Sequence, residues 1–180
     1  MKVELLKYPT QEDWNFCKAC TLNTMGKKLV KDADSEWKRK ILASEHSPIR
    51  ELWFAFRVTC PYWVSVHLVR HHDGINHYVQ SQRNDRQSEY DRNTAPQGQE
   101  VSHIVSVNAQ ELMYIARKRL CAQASEETRS VVYAMCRLAT EVCPELDGLL
   151  VPNCVYRGGV CTEFFSCGGA DAMMKKYGKK

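Results

Sequence analysis

Arg70-His71-His72-Asp73-Gly74-Ile75-Asn76-His77-Tyr78-Val79-Gln80-Ser81-Gln82-Arg83 is the stretch on which the reading of this chain turns. It follows the apolar segment Trp63-Val64-Ser65-Val66-His67-Leu68-Val69 and gathers two arginines, three histidines, two glutamines, Asn76 and Ser81. A core does not need that chemistry, because buried charged and imidazole groups cost free energy unless each finds a partner. A site for an anionic, hydrogen-bonding ligand does need it. Arginine offers a planar fork matched to phosphate, and histidine and serine supply shorter-range donors. A solvated polar turn after a helix would use the same residues, and composition alone leaves both readings open.

Working upstream, Leu52-Trp53-Phe54-Ala55-Phe56-Arg57-Val58 is β-branched and aromatic enough to predict a strand. Pro61 can open the next helix at its first turn, where a missing N–H costs nothing. That helix is expected from Tyr62 to about Arg70, delivering the polar stretch at its C-terminal end. Residues 1–10 predict a short strand ending at Pro9. Thr10 then caps a helix over Gln11–Thr24. Cys17-Lys18-Ala19-Cys20 has redox-motif spacing without the strand–turn–helix such a motif requires, so both read as ordinary helix cysteines. A second helix is expected over Asp32–Leu42, with Trp37 and Ile41 on one face, ending in the Ser47-Pro48 break.

Downstream, Gln82 to His103 is almost entirely polar and reads as a long loop, of the kind that is usually functional or disordered. His103–Val107 predicts a short strand. Asn108 caps an amphipathic helix over Ala109–Gln123, with Leu112, Ile115, Ala116 and Leu120 on its apolar side and Arg117, Lys118 and Arg119 opposite. Ser125 caps another helix, whose apolar face runs through Val131, Val132, Met135, Leu138 and Val142 to Cys143-Pro144. These elements predict an α+β fold: a central mixed or antiparallel sheet flanked by helices, a C-terminal helical hairpin and a Cys-rich tail. Residues 1–150 read as a single domain, with residues 151–180 as the tail packed on it and Lys175–Lys180 as its frayed basic end.

At 180 residues, 44% hydrophobic and 26% charged, the chain has an ordinary globular composition. A formal charge of +4 is far below the clustered basic footprint of a dedicated nucleic-acid binder. No apolar run reaches the length of a membrane span, and Met1-Lys2-Val3-Glu4 lacks a signal peptide's apolar core. A cytoplasmic protein is therefore expected, with no membrane partner. Its nine cysteines then read as reduced thiols or metal ligands rather than a disulfide framework.

Three ordered segments together resemble the flavin-dependent thymidylate synthase family. The first is Ser47-Pro48 followed by Trp53-Phe54-Ala55-Phe56. The second is Leu68-Val69-Arg70-His71-His72 through Gln80-Ser81-Gln82-Arg83, similar to the family's Arg-His-Arg signature with its downstream Ser-x-Arg. The third is Asn108-Ala109 with Leu112 and, eleven positions after the asparagine, Arg119. Order and approximate spacing are kept across about residues 44–130.

The resemblance implies a homotetramer that converts dUMP to dTMP, with sites shared between subunits. Methylenetetrahydrofolate would be the one-carbon donor, FAD the hydride carrier and NADPH the usual reductant. Carried over by position, Ser47 would meet an FAD phosphate, and Arg70, His71 and His72 would lie along the flavin. Asn108 would touch flavin or folate. Ser81 and Arg83 would bind dUMP, with His67 and Gln80 facing the nucleotide. Arg119 would meet the uracil ring, giving Arg119 and Ser81 the catalytic roles. The departures mark a divergent member. His72 stands where the signature has its second arginine, and the segment from Arg70 to Ser81 is one residue longer than usual. Arg50-Glu51 replaces a Glu-His pair, and Gln110 replaces an arginine. Hydroxymethylation of the same nucleotide, or a non-catalytic nucleotide-binding protein with the same fold, are the alternatives these departures suggest.

The tail has no counterpart in familiar members of that family. Cys154, Cys161 and Cys167, with Cys121, have the chemistry of a tetrahedral zinc site. Their spacings of seven and six are longer than the usual close pairs, and the same cysteines also read as small residues packed in a compact tail.

Overall fold

The computed structural model describes residues 1–86 and 91–178. Along the chain lie β1 (Lys2–Lys7), α1 (Gln11–Asn23), α2 (Ser35–Ala43), a 3-10 turn at Ser47–Glu51, β2 (Trp53–Pro61) and α3 (Tyr62–Leu68). Then come β3 (Ile75–Val79), β4 (Glu100–Asn108), α4 (Ala109–Arg119), α5 (Glu126–Val142), a 3-10 turn at Pro144–Leu146, α6 (Asn153–Tyr156) and α7 (Ala170–Tyr177). The fold is α+β. Its four-stranded sheet has the order β1-β2-β4-β3, and every pairing is antiparallel.

Period-two alternation sets which face of the sheet is inside. Phe54, Phe56, Val58 and Cys60 of β2 are buried while Arg57 is exposed, and Val101, His103, Val105 and Val107 of β4 are buried beside them. The register pairs Phe54 with Val107, Phe56 with Val105 and Val58 with His103. Helices α3, α4 and α5 close this face, bringing Val64, Leu68, Leu112, Ile115, Val131, Val132 and Met135 into one core with the strands.

Caps start the helices where side chains meet orphan backbone N–H groups. Thr10 and Asp13 form a capping box on α1, Asp34 caps α2, Asn108 accepts from the Glu111 N–H at the start of α4, and Ser125 caps α5. The second helix therefore begins at Ser35 rather than Asp32, because Asp34 is its cap. Cys17 is buried in α1 and pushed up to about 12, first by burial and then by Cys20, which suits a packing role.

Other boundaries moved for local reasons. Pro61 ends β2 and stands just before α3 rather than inside it, and α3 stops at Leu68. The fourth helix stops at Arg119, because residues 120–124 reverse the chain toward the Ser125 cap. The expected loop from Gln82 to His103 is shorter, since β4 begins at Glu100 and continues to Asn108. Gln87, Ser88, Glu89 and Tyr90 of that loop, and Lys179 and Lys180 at the end, lie outside the described residues. Lys175 and Lys176 belong to α7 rather than to a frayed end. Val142, expected on the buried side of α5, is exposed at its last position. Within the quoted stretch, Ile75–Val79 is the edge strand β3, not a turn. Among the described residues no helix is long and apolar enough to cross a membrane.

Candidate active site

Two cavities meet at α4. One, of about 330 Å³, is lined by Arg70, His71, Tyr114, Lys118, Arg119, Cys121, Gln123, Ala124 and Glu163. The other, of about 680 Å³, is lined by Glu45, Arg50, His72, Asp73, Gly74, Asn108, Gln110, Glu111, Tyr114 and Arg117. Tyr114 lines both, so a basic lobe and a polar lobe adjoin at this residue. Helical periodicity explains the supply of side chains: Glu111, Tyr114 and Lys118 recur at i, i+3 and i+7, and Gln110, Tyr114 and Arg117 at i, i+4 and i+7. The basic lobe sits at the C-terminal end of α4, where the helix dipole favours cations.

A chain of hydrogen bonds fixes the residues between the lobes. Arg119 donates from Nε to His71 Nε2 at 3.1 Å and from Nη2 to the His67 carbonyl at 3.2 Å. Because arginine has only donors, His71 Nε2 carries no proton. Its Nδ1–H therefore donates to Glu111 Oε1 at 3.0 Å, and both side chains of that pair are buried. Burial, then the nearby Arg70 charge, lowers the Arg119 pKa, although an arginine remains charged at any pH the fold survives. Arg119 is thus an oriented cation with N–H groups left for a ligand.

The imidazole pattern continues beneath the strand edge. His77 donates from Nε2 to the His71 carbonyl at 2.9 Å, which leaves its Nδ1 to accept from His103 Nε2–H at 3.0 Å. His103 Nδ1 is then an unprotonated acceptor, buried and without a partner among the described residues. Burial lowers both pKa values, and His103, further lowered by His77, falls to about 4.

The polar lobe is held by paired side chains. Arg117 forms an ion pair with Glu45 and lies 3.7 Å over the Tyr156 ring, and Arg50 donates to the Gln110 carbonyl oxygen. Burial raises the Glu45 pKa, but hydrogen bonding and charge from Arg117, with a hydrogen bond from Tyr156, outweigh it and the net shift is downward. Glu45 holds a left-handed backbone conformation, φ 49°, uncommon for a residue with a Cβ. At the floor, Gly74 has φ 68°, its carbonyl accepts from the Asn108 N–H at 2.9 Å, and a Cβ there would overlap the Asn108 amide.

The structure brings together some of the expected site residues and separates others. Arg70, His71 and Arg119 share the basic lobe, while His72 and Asn108 line the polar lobe. Ser47 lines neither, although Arg50 of the same 3-10 turn reaches the polar lobe. His67 turns inward, with Nδ1 2.8 Å from Thr128 Oγ1 and its ring edge-on to Trp63. Gln80, Ser81 and Arg83 follow the far end of β3, about 13 Å along the strand from its cleft end. Gln80 accepts from the Ser102 N–H at 3.0 Å, the Arg83 N–H lies 3.3 Å from Ser81 Oγ, and the Arg83 guanidinium pairs with Asp85.

Cys121, Cys154, Cys161 and Cys167 do line one small cavity between the tail and the end of α4. All four are free thiols, however, and among the described residues no group of three or more His, Cys, Asp or Glu is arranged to hold a metal ion. The four thiols thus share a cavity wall, with no arrangement among the described residues that recruits three of them as ligands.

Sequence reasoning missed Glu111, Tyr114, Lys118, Glu45 and Glu163. The α4 residues carried a signal, one polar helical stripe running along the edge of the apolar side. Glu45 and Glu163 carried none, because only tertiary packing brings them to the cleft. A further cavity of about 650 Å³ between α5 and α7 is lined partly by Leu120, Leu146 and Leu150 and lies away from the paired histidines.

Residues 84–145, 62 of the 180 in the chain, match a family model described as thymidylate synthase complementing protein. The matched segment contains Asn108, Glu111, Tyr114, Lys118 and Arg119, the α4 side of both lobes. No curated protein matches the chain.

Proposed function

We propose, from the match of residues 84–145 to the model described as thymidylate synthase complementing protein, that this chain converts dUMP to dTMP on a bound flavin. One observation carries the reading. Arg70, Lys118 and Arg119 line a single cavity, one of them fixed by a Glu111–His71 pair, directly beside a larger polar lobe. Phosphate plus a carbonyl-bearing heteroaromatic ring is the ligand chemistry such a cavity suits.

In this reading Arg70 and Lys118 take the phosphate of dUMP, and Arg119 faces the pyrimidine. The hydrogen bonds to His71 and the His67 carbonyl hold the Arg119 guanidinium before substrate arrives. No reorganisation is then needed as negative charge develops on the ring oxygen, which is where preorganised donors contribute most. Glu111 acts on the substrate only through His71, so both are positioning residues.

FAD fits the polar lobe by donor chemistry. Arg50, His72 and the amides of Asn108 and Gln110 can meet carbonyl and phosphate oxygens, and Tyr114 offers a flat wall. Bound there, FAD would supply hydride transfer, with methylenetetrahydrofolate giving the one-carbon unit and NADPH the electrons. The placement of Ser81 and Arg83 beyond the far end of β3 favours a homotetramer in which they complete the site of a second copy. An absorbance spectrum of the purified protein tests the reading. A flavin band should appear on adding FAD and shift on adding dUMP. A protein that stays colourless and binds no FAD contradicts it.

A further inference from the structure

Glu163 belongs to the cysteine-rich tail, between Cys161 and Cys167, yet it lines the basic lobe with Arg70, Lys118 and Arg119. The tail is pinned there by Gln123, whose Nε2 donates to the Phe165 carbonyl at 2.9 Å. Among the described residues Glu163 forms no ion pair within 4.0 Å, so it shares the cavity wall with the three cations without being paired to one of them, and it also borders the small cysteine-lined cavity. It is the one anionic side chain lining this cavity among the described residues.

The charges around the cavity then sum to +2, three cations less one carboxylate. A phosphomonoester carries about −1.5 to −2 near pH 7, which balances that sum. A diphosphate or triphosphate brings further negative charge, and a carboxylate can only accept hydrogen bonds, so every added phosphate meets a like charge with no donor. Like-charge juxtaposition acts as rejection of the wrong ligand rather than as affinity for the right one. We propose that Glu163 is a specificity-determining residue that restricts the basic lobe to nucleoside monophosphates and excludes the di- and triphosphates of the same nucleoside. This rests on the reading of the lobe as the nucleotide site.

Calorimetric titration of the full chain with dUMP and with dUTP, in buffer free of divalent cations, tests it. The wild type should bind dUMP more tightly. Glu163→Gln, which keeps the shape and removes the charge, should narrow the dUTP-to-dUMP ratio of Kd by about tenfold, and the narrowing should shrink at high salt. Glu12→Gln, an exposed site on α1 with the same change in net charge, should leave the ratio alone. A ratio that Glu163→Gln leaves at the wild-type value, with dUMP still bound, overturns the assignment of Glu163 by itself. Failure of the wild type to bind dUMP overturns the nucleotide reading as well.

Discussion

His103 stands on the core face of β4, between Val101 and Val105, where a strand pattern calls for an apolar side chain. Burial and then His77 hold it at about 4, against 6.5 for an ordinary histidine. The folded chain therefore binds this proton less readily than the unfolded chain. Stability from this residue is complete above about pH 6.5 and declines as pH falls toward 4, by up to about 1.4 kcal/mol per unit. Urea unfolding at pH 7 and pH 5 should show the loss, and His103→Gln should remove most of it. An unchanged pH slope in that variant would show that the proton uptake lies elsewhere. The sequence marked His71 and Arg119 as site residues but not how they meet. Glu111, which orients His71, is 40 positions away, and only packing of α4 against the end of α3 joins them.

Among the elements, β3 shows both what the sequence could reveal and what it concealed. Ile75-Asn76-His77-Tyr78-Val79 alternates inward and outward, but a histidine occupies the central inward position and the pattern reads as polar. The α4 cap was legible because Asn108 is followed at once by apolar periodicity. Gly74 connects the two elements, since its left-handed turn starts β3 and its missing Cβ admits the Asn108 amide. Gly74→Ala adds a clash to a strained backbone and should cost on the order of 2–4 kcal/mol. Gly26→Ala shares the left-handed conformation, φ 66°, but meets nothing within 4 Å and should cost only about 1 kcal/mol. Thermal or urea melts of the pair isolate the clash. Equal losses would mean that the Asn108 amide moves aside freely.

For the whole molecule, the antiparallel sheet separates residues that the family resemblance assigns to one ligand. Ser81 and Arg83 leave the far end of β3 while Arg119 lines the basic lobe near the other end, so the proposed dUMP site would include them only through a second copy of the chain. Coexpressing Arg83→Ala with Arg119→Ala should restore roughly a quarter of wild-type turnover, because random assembly pairs intact halves at that frequency. No recovery would place both residues in one chain's site, and full turnover of Arg83→Ala by itself would show that Arg83 plays no part. The α+β class, the hairpin of α4 and α5 and the basic side of α4 were legible from periodicity and caps. The meeting of two cavities at Tyr114 and the reach of the tail to the basic lobe were not, since both arise from long-range packing.

Methylation of dUMP is decided by the mass of the product nucleotide. Protein reconstituted with reduced FAD, dUMP and methylenetetrahydrofolate should yield a nucleotide one methylene heavier than dUMP. Arg119→Ala, folded and flavin-loaded, should form it more slowly by on the order of 10²–10³-fold. Recovery of unchanged dUMP with the wild type, or of a hydroxymethylated product, would mean that the chain is not a thymidylate synthase.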